Sequence, residues 1–269
     1  MNEPKISIVT PSLNQAHFIE DAIASVASQG YPYFEHIIVD GGSEDGTLDI
    51  LKRSRHLVWF SERDRGQSDA LNKGFKRASG EIIGWLNADD IYMPNAVQTV
   101  VDFFLAHPNV AMVYGFVNIV DESGDVLRTR YSPDFDLGLL VRGGHCYIQP
   151  VTFFRREVFE EVGYLDIELH EAMDFEFFIR VGQKLKIKRI PKILGNFRTH
   201  SRSKTFSGQM SERGLRERNE ILNRYAPLGE SDYPEVFMSL RDQVIMMFYR
   251  YYGGLRSLPK LIGYRLKHL

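Results

Sequence analysis

The sequence predicts an α/β fold in which a mostly parallel central sheet is flanked by helices. Through the first hundred residues, short apolar runs alternate with segments whose apolar residues recur at helical spacing. This alternation is typical of βαβ units, whose helices cover both faces of a parallel sheet. The chain has 269 residues, 43% of them hydrophobic and 25% charged. That length suits one large core, and the composition excludes disorder, collagen and coiled coil.

The elements of the first half follow from apolar runs and from the turn residues that end them. Strands are predicted over residues 6–9, 37–39, 57–60 and 82–86. Helical spacing predicts helices over residues 18–27, 47–52, 70–78 and 97–105, with Pro94 in the first turn of the last one.

After residue 110 the regular alternation ends. Further strands are predicted over residues 110–116, 126–131, 151–154, 187–190 and 193–197, and a helix over 174–181. Beyond Gly208 the pattern is helical, with no strong strand. We therefore expect a domain over residues 1–207 and a helical, basic amphipathic C-terminal extension over residues 208–269.

Charge and cysteine content exclude several classes of protein. Lys and Arg number 33 against 35 Asp and Glu, which gives a net charge of -2. Proteins that coat nucleic acid are far more basic, so no nucleic-acid partner is expected. Cys146 is the single cysteine, which excludes an internal disulfide or a thiolate zinc site and fits a reducing compartment. No signal peptide or membrane span begins at the N-terminus, so we expect a cytoplasmic protein.

Two polar segments follow the first two strands, Thr10–Asn14 and Asp40–Thr47. In open α/β sheets, ligands bind outside the carboxyl ends of the strands. An aspartate there can accept hydrogen bonds from ribose hydroxyls or a base N–H, and glycines allow a close approach of the backbone. The alternative is that Asp40-Gly41-Gly42 is only a turn. The chain has no G-x-G-x-x-G motif, which disfavours a dehydrogenase-type dinucleotide site.

A third polar segment, Asn87-Ala88-Asp89-Asp90, directly follows the apolar strand at 82–86. Two adjacent carboxylates repel each other unless a hard divalent cation, held between carboxylate and phosphate oxygens, compensates their charge. The alternative is that Asp90 is a helix N-cap.

The fourth segment, 172–180, places Asp174 at the start of an aromatic-rich helix. A carboxylate in apolar surroundings can act as a proton acceptor. An N-cap is again the alternative. Arg180, six residues on, is expected to support the helix.

In type and order, these segments and Ser61–Gly74 resemble family 2 glycosyltransferases over about residues 5–205. The resemblance implies the GT-A fold, a Rossmann-like domain that binds a nucleotide-sugar, and an inverting reaction. It also implies contacts with the nucleotide-sugar for Pro11, Asn14, Asp40, Asp64, Arg65, Asn72 and Asp89.

The resemblance further implies a divalent cation, Mg²⁺ or Mn²⁺. The segment from Asn87 to Asp89 occupies the place of the family's metal motif, usually Asp-x-Asp, so Asp89 is the expected ligand, assisted by Asp90. His200 resembles a late histidine that approaches the diphosphate or the metal, and a structural loop histidine is the alternative.

Asp174 matches the family's catalytic base, although Met173 stands where many relatives carry a glutamate. The resemblance also suggests that the segment 143–150 faces the acceptor, with His145 and Gln149 binding sugar hydroxyls. A structural loop is the alternative for His145.

The expected substrates are a nucleoside-diphosphate-sugar, with UDP as the nucleotide, and a glycan or lipid-linked acceptor, as in bacterial surface polysaccharide synthesis. One rival function is nucleotidyl transfer, which more often shows a Gly-rich basic loop after the first strand. The other is an inactive glycan-binding scaffold, which the presence of both Asp89 and Asp174 disfavours.

The C-terminal segment 241–269 contains six Lys or Arg residues and one acid, so it carries a charge of +5. Its aromatic and aliphatic residues alternate with the basic ones, a pattern typical of membrane-interface segments. We therefore expect either peripheral contact with the inner face of the membrane or a homodimer, in each case through residues 236–269.

Overall fold

The computed structural model describes residues 3–141, 149–203 and 211–225. Its strands are β1 (Ile6–Ser12), β2 (Phe34–Asp40), β3 (Val58–Ser61), β4 (Ile82–Trp85), β5 (Ile91–Tyr92), β6 (Met112–Val120), β7 (Val126–Arg130), β8 (Thr152–Arg155) and β9 (Ile187–Arg198). Its α-helices are α1 (Ile19–Ala27), α2 (Thr47–Arg53), α3 (Gln67–Arg77), α4 (Ala96–Ala106), α5 (Leu137–Val141), α6 (Val158–Val162), α7 (Met173–Lys184) and α8 (Glu212–Tyr225).

Within the described residues, the strands form one nine-stranded sheet in the order β3-β2-β1-β4-β8-β6-β9-β5, with β7 paired to β6. Strands β1 to β4 are parallel to one another. Strand β8 is antiparallel to both β4 and β6, and β9 is parallel to β6. Strands β6 and β9 therefore run in the direction of β1 to β4, which confirms the predicted mostly parallel sheet flanked by helices.

The sheet is buried on both faces, which explains why its central strands are continuously apolar. Along β1, Ile8 belongs to the same buried cluster as Val97 of α4, whereas Val9 belongs to the cluster that contains Phe75 of α3 and Phe177 of α7. All these side chains are buried. The period-two alternation of a strand thus divides one apolar run between two layers of helices.

The shared strand direction brings the carboxyl ends of the strands to one edge of the sheet. Ser12 pairs with Asp40, and Asp40 with Ser61, so β1, β2 and β3 end level with one another. The segment 87–90 follows β4, and Arg198 ends β9. The polar segments singled out in the sequence therefore converge on this edge.

Several local details differ from the sequence prediction. Helix α4 begins at Ala96 after Asn95, which has a left-handed φ of 62°, so Pro94 lies in the preceding turn and the prediction for it was wrong. The two extended runs after residue 186 form one strand, β9, whose register against β6 shifts on both sides of Phe116. The short elements β5, α5 and α6 were not predicted.

Helix α8 belongs to the predicted C-terminal extension and packs against the domain. Ile221 is fully buried in the core, and Leu222 and Tyr225 pack around it. The boundary at residues 207/208 and the segment 236–269 lie outside the described residues. No helix in the described part is long and apolar enough to cross a membrane.

Candidate functional site

The loops after β1 and β2 are hydrogen-bonded to each other. The backbone N–H of Asn14 donates to Ser43 Oγ over 2.7 Å, and Asn14 Oδ1 accepts the N–H of Glu44 over 2.9 Å. Asn14 has a φ of 53°, a left-handed conformation that asparagine tolerates. The two loops therefore form one polar surface, with Asn14 exposed and Pro11 buried in β1.

Asp40 is completely buried at the end of β2. Its carboxylate accepts the N–H groups of Gly42 and Ser43 and the hydroxyls of Ser43 and Ser61. These four bonds fit the turn interpretation of Asp-Gly-Gly, because the carboxylate fixes the loop it belongs to. A direct contact between Asp40 and a nucleotide stays a prediction.

Gly41 allows a close approach of Asp64. A Cβ atom at position 41 would lie 2.5 Å from Asp64 Oδ2 and 3.5 Å from the side chain of Leu13. Asp64 Oδ1 accepts the N–H of Gly66 over 2.9 Å, while Leu13 is 52% exposed. Asp64 and the neighbouring exposed Arg65 thus lie beside the loops that contain Asn14 and Gly41.

Asn72 connects α3 to a distant segment through two hydrogen bonds. Its Nδ2 donates to the carbonyl oxygen of Leu165 over 2.9 Å, and its Oδ1 accepts the N–H of the same residue over 3.0 Å. The side chain is buried. Both ends of the amide therefore tie α3 to the segment before α7, and a direct contact between Asn72 and a nucleotide stays a prediction.

Asn87 is the centre of a hydrogen-bond network at the end of β4. Its Oδ1 accepts from Gln67 Nε2 over 2.9 Å and from Trp85 Nε1 over 3.0 Å. Its Nδ2 donates to Asp90 Oδ2 and to Gln149 Oε1, each over 3.0 Å. All four hydrogen-bonding positions of the amide are used, so Asn87 acts here as a structural amide.

Asp90 is buried, and its second carboxylate oxygen accepts the N–H of Arg198 over 3.1 Å. Burial and then the nearby charge of Asp89 raise the pKa of Asp90 well above its usual range. Because α4 begins only at Ala96, Asp90 is not the N-cap considered as its alternative role.

Asp89 faces His200 across the edge of the sheet. The two side chains approach to 3.1 Å between Asp89 Oδ2 and His200 Nε2, with exposed fractions of 21% and 3%. The ring of His200 packs against Phe18, and its Nδ1 is buried without a hydrogen-bond partner among the described residues. The parallel pairing of β6 with β9, in which Val120 lies opposite Arg198, carries His200 to this position.

A carboxylate oxygen beside an imidazole nitrogen suits a first-row divalent cation such as Mn²⁺. The described residues contain no group of three or more His, Cys, Asp or Glu side chains able to hold a metal ion. A cation at Asp89 would therefore need further ligands, which is usual for Mg²⁺ bound between one or two carboxylates and substrate phosphates.

Asp174 lies in the first turn of α7 and is partly exposed. Its Oδ1 accepts the N–H of Phe175 over 2.7 Å. The N-cap position belongs to Ala172, so Asp174 is not the cap considered as its alternative role.

Arg180 pairs with Glu176 and bonds the carbonyl oxygens of Val162 and Tyr164, which agrees with its expected supporting role.

Consecutive residues at the start of α3 connect the segment before α7 with the end of β4. A Cβ atom at Gly66 would lie 3.1 Å from the ring of His170, Gln67 bonds Asn87, and Ser68 Oγ donates to the carbonyl oxygen of Leu169 over 2.8 Å. The loop that leads to Asp174 therefore adjoins the network that holds Asp89 and Asp90.

The two residues expected to contact the acceptor have different outcomes. Gln149 reaches the Asn87 network, where its Oε1 accepts a hydrogen bond. His145 lies outside the described residues.

The sequence analysis missed Gln67 and Trp85, which donate hydrogen bonds to Asn87, and the buried Glu217 of α8. The sequence around Glu217 carries no motif that marks it.

Comparison with protein families gives a match to glycosyl transferase family 2 over residues 7–163. An uncharacterised glycosyltransferase of Rickettsia conorii is 31% identical over 212 residues, which is 73% of this chain and 34% of that protein. A PGL/p-HBAD biosynthesis glycosyltransferase of Mycobacterium bovis is 32% identical over 190 residues, 67% of this chain and 70% of that protein. The chain thus spans about a third of the rickettsial relative's length.

Two solved structures share the fold. Staphylococcus aureus TarS 1–349 in complex with UDP-GlcNAc has a TM-score of 0.67 at 20% identity, covering 84% of this chain and 68% of that one. The mannosyltransferase PcManGT of Pyrobaculum calidifontis, in complex with GDP-Man and Mn²⁺, has a TM-score of 0.57 at 21% identity, covering 76% and 59%.

Proposed function

Because the chain belongs to glycosyl transferase family 2, we propose that it is a metal-dependent, inverting glycosyltransferase that uses a nucleoside-diphosphate-sugar. The fold is of the GT-A type, as the sequence resemblance implied. The observation that carries the proposal is the approach of Asp89 to His200 beside the network that adjoins the start of α7. One edge of the sheet thus combines a cation site with a carboxylate, Asp174, that can act as a base.

We propose that the donor binds over the loops after β1, β2 and β3, near Asn14, Gly41 and Asp64. At this surface the side chain of Asn14 is exposed, and the missing side chain of Gly41 lets Asp64 approach the loop. The related structures hold UDP-GlcNAc and GDP-Man, which supports a nucleotide-sugar here, with UDP as the nucleotide we propose. Asp40 would shape this surface from below, since its carboxylate already holds the loop.

We propose that Asp89, with His200 beside it, would hold Mg²⁺ or Mn²⁺. When bound, such a cation stabilises the negative charge that develops on a leaving diphosphate. The buried Asp90 supports this position by accepting bonds from Asn87 and from the backbone of Arg198. The first bond lies within the segment 87–90, and the second holds that segment against the end of β9, which leads to His200.

In the proposed reaction, the acceptor hydroxyl oxygen forms a bond with the anomeric carbon while the bond from that carbon to the diphosphate oxygen breaks. The hydroxyl proton passes to the carboxylate of Asp174. A single displacement of this kind inverts the configuration at the anomeric carbon. The position of Asp174 in the first turn of α7, where its side chain is only partly buried, supports this role.

Two observations support a proposal for the acceptor and its binding site: the family resemblance and the position of Gln149. We propose a glycan or lipid-linked acceptor in bacterial surface polysaccharide synthesis, approached through the segment that includes His145 and Gln149. We also propose a cytoplasmic enzyme whose basic segment 236–269 contacts the inner face of the membrane or a second subunit.

Incubation of the full chain with a panel of nucleotide-sugars and Mn²⁺ tests the function. We expect release of nucleoside diphosphate from one donor, increased by an acceptor. Release of pyrophosphate from a nucleoside triphosphate and a sugar phosphate would instead identify a nucleotidyltransferase. Binding of glycans with no product from any donor would identify an inactive scaffold.

A further inference from the structure

Helix α8 supplies a buried carboxylate to the turn in front of α7. Both oxygens of Glu217 accept the N–H of His170, at 3.0 and 3.1 Å. One of them also accepts the N–H groups of Glu171, over 2.8 Å, and Ala172, over 3.0 Å. Arg213, one turn earlier on α8, donates to the other oxygen over 2.9 Å. Glu217 therefore binds three consecutive backbone N–H groups.

Two of these N–H groups belong to the turn before α7, and the third belongs to its N-cap residue. Helix α7 begins at Met173, and its N-cap residue, Ala172, has no side chain able to cap it. The first N–H groups of a helix lack partners within the helix, and an anion there is stabilised by the helix dipole. Glu217 therefore fixes the turn that leads into α7, and its charge lies next to the N-terminus of that helix.

The carboxylate remains an anion at neutral pH. Burial alone would raise the pKa of Glu217, but the three backbone N–H groups and Arg213 outweigh burial, so the pKa is lowered. The attachment of α8 does not depend on this contact alone. Ile221 is buried in the core, and the hydroxyl of Tyr225 donates to Glu176 Oε1 over 2.6 Å.

We propose that Glu217 is a positioning residue for Asp174. It fixes the turn 170–172 and thereby the first turn of α7, where the carboxylate of Asp174 must meet the acceptor hydroxyl. This inference rests on the proposed function, in which Asp174 is the base. Glu217 lies outside the stretch 7–163 that matches the family, so it is a feature contributed by the part of the chain that follows.

The experiment compares Glu217→Ala and Glu217→Gln with Tyr225→Phe. The Tyr225→Phe control removes a different polar contact of α8 with α7, the bond to Glu176, and leaves the turn 170–172 untouched. Glu176 keeps Arg180 as its partner in this control. Kinetics use the donor found in the nucleotide-sugar panel, and binding is measured with UDP and Mn²⁺ by calorimetry.

We expect kcat to fall about 100-fold in Glu217→Ala, since small misplacements of a catalytic group cost about that much. Glu217→Gln keeps one acceptor oxygen, so its kcat should lie between those of Glu217→Ala and the wild type. UDP affinity and donor KM should stay within about twofold of the wild-type values in all three variants, because the turn 170–172 is proposed to position the base and not to bind the donor. Tyr225→Phe should keep the wild-type kcat.

Amide hydrogen exchange supplies a readout that does not need activity. Loss of the charged acceptor should speed exchange in residues 170–172 by about tenfold or more in the Glu217 variants, but not in Tyr225→Phe. Unchanged exchange, an unchanged kcat in Glu217→Ala, or an equal loss in Tyr225→Phe would each overturn the proposal. If the wild type transfers no sugar, the proposed function fails, and the exchange result alone decides whether Glu217 fixes the turn.

Discussion

The side-chain amide of Asn87 donates to the buried carboxylate of Asp90 over 3.0 Å. Asn87 occupies the position at which the metal motif of family 2 glycosyltransferases usually has an aspartate. The same nitrogen donates to Gln149, and the amide oxygen accepts from Gln67 and Trp85. A carboxylate cannot donate either of the two bonds, and it would repel Asp90 whenever that group is ionised.

We therefore expect Asn87→Asp to lower the free energy of unfolding by about 2 kcal/mol, from two lost donors at a partly buried site. Chemical denaturation at pH 7 measures the loss. Asn118→Asp is the matched control, because Asn118 also bonds two side chains but its acceptor Asn196 can turn its own amide to donate. Equal losses in the two variants would contradict the role assigned to Asn87.

Asp174→Asn retains the size of the side chain but removes the proton acceptor. We expect turnover to fall about 100-fold or more, the scale of lost general-base catalysis, while UDP binding survives. Steady-state kinetics and calorimetry measure the two effects separately. Glu168→Gln, which neutralises an exposed acid in the same loop, should leave both unchanged. Normal turnover in Asp174→Asn would show that another group is the base.

Asp89→Ala should remove the cation site without unfolding the protein. We expect Mn²⁺ binding, measured by electron paramagnetic resonance, to weaken, and transfer to fall by about three orders of magnitude, the scale of a lost electrostatic stabiliser. Excess chelator should abolish transfer by the wild type, and added Mn²⁺ should restore it. Asp49→Ala, at an exposed acid on α2, is the control. Full activity in chelator would refute the metal role.

His36 makes stability depend on pH. Burial, with a smaller effect from His56, lowers the pKa of His36 from 6.5 to about 3. The unfolded chain therefore binds a proton that the folded protein does not, and stability falls as the pH drops from about 6.5 toward 3. Between pH 7 and pH 5 we expect a loss of about 2 kcal/mol.

Chemical denaturation at several pH values measures this dependence. His36→Gln removes the titrating group but keeps an amide near Thr10, so its stability should depend less on pH. His107→Gln is the control, because it replaces a histidine whose ring is exposed on the surface. If the stability of His36→Gln falls with pH as steeply as that of the wild type, His36 is not the cause.

The basic segment 241–269 should bind anionic membranes. Each basic residue near an anionic surface contributes about 1 kcal/mol, so a few contacts give an affinity that weakens as salt rises. We expect the full chain to sediment with vesicles containing phosphatidylserine at low salt. A variant with Arg250, Arg256, Lys260 and Arg265 changed to Gln should not. Equal sedimentation would reject membrane contact, and a dimer altered in the variant would favour subunit contact.

Local patterns determined much of this fold before any contact was known. The alternation of apolar runs and helical faces correctly predicted β1 to β4 and the helices between them. A strand buried on both faces is a continuous apolar run, and a helix that covers the sheet has apolar residues at helical spacing, so both patterns are visible in the local sequence. Asn14 and Asp40 were located at strand ends for the same reason. The ordered set of motifs also predicted the family and the GT-A fold.

Contacts between distant residues were decided only by the tertiary structure. His200 approaches Asp89 because β6 and β9 pair in parallel, and no pattern in the sequence encodes that pairing. Asn72 is expected from the resemblance to contact the nucleotide, and in the structure both ends of its amide bond the backbone of Leu165. Glu217 reaches the start of α7 from a helix that has no motif. Hydrophobic period is a local property, whereas the partner of a polar group depends on which chain segments the packed core brings together.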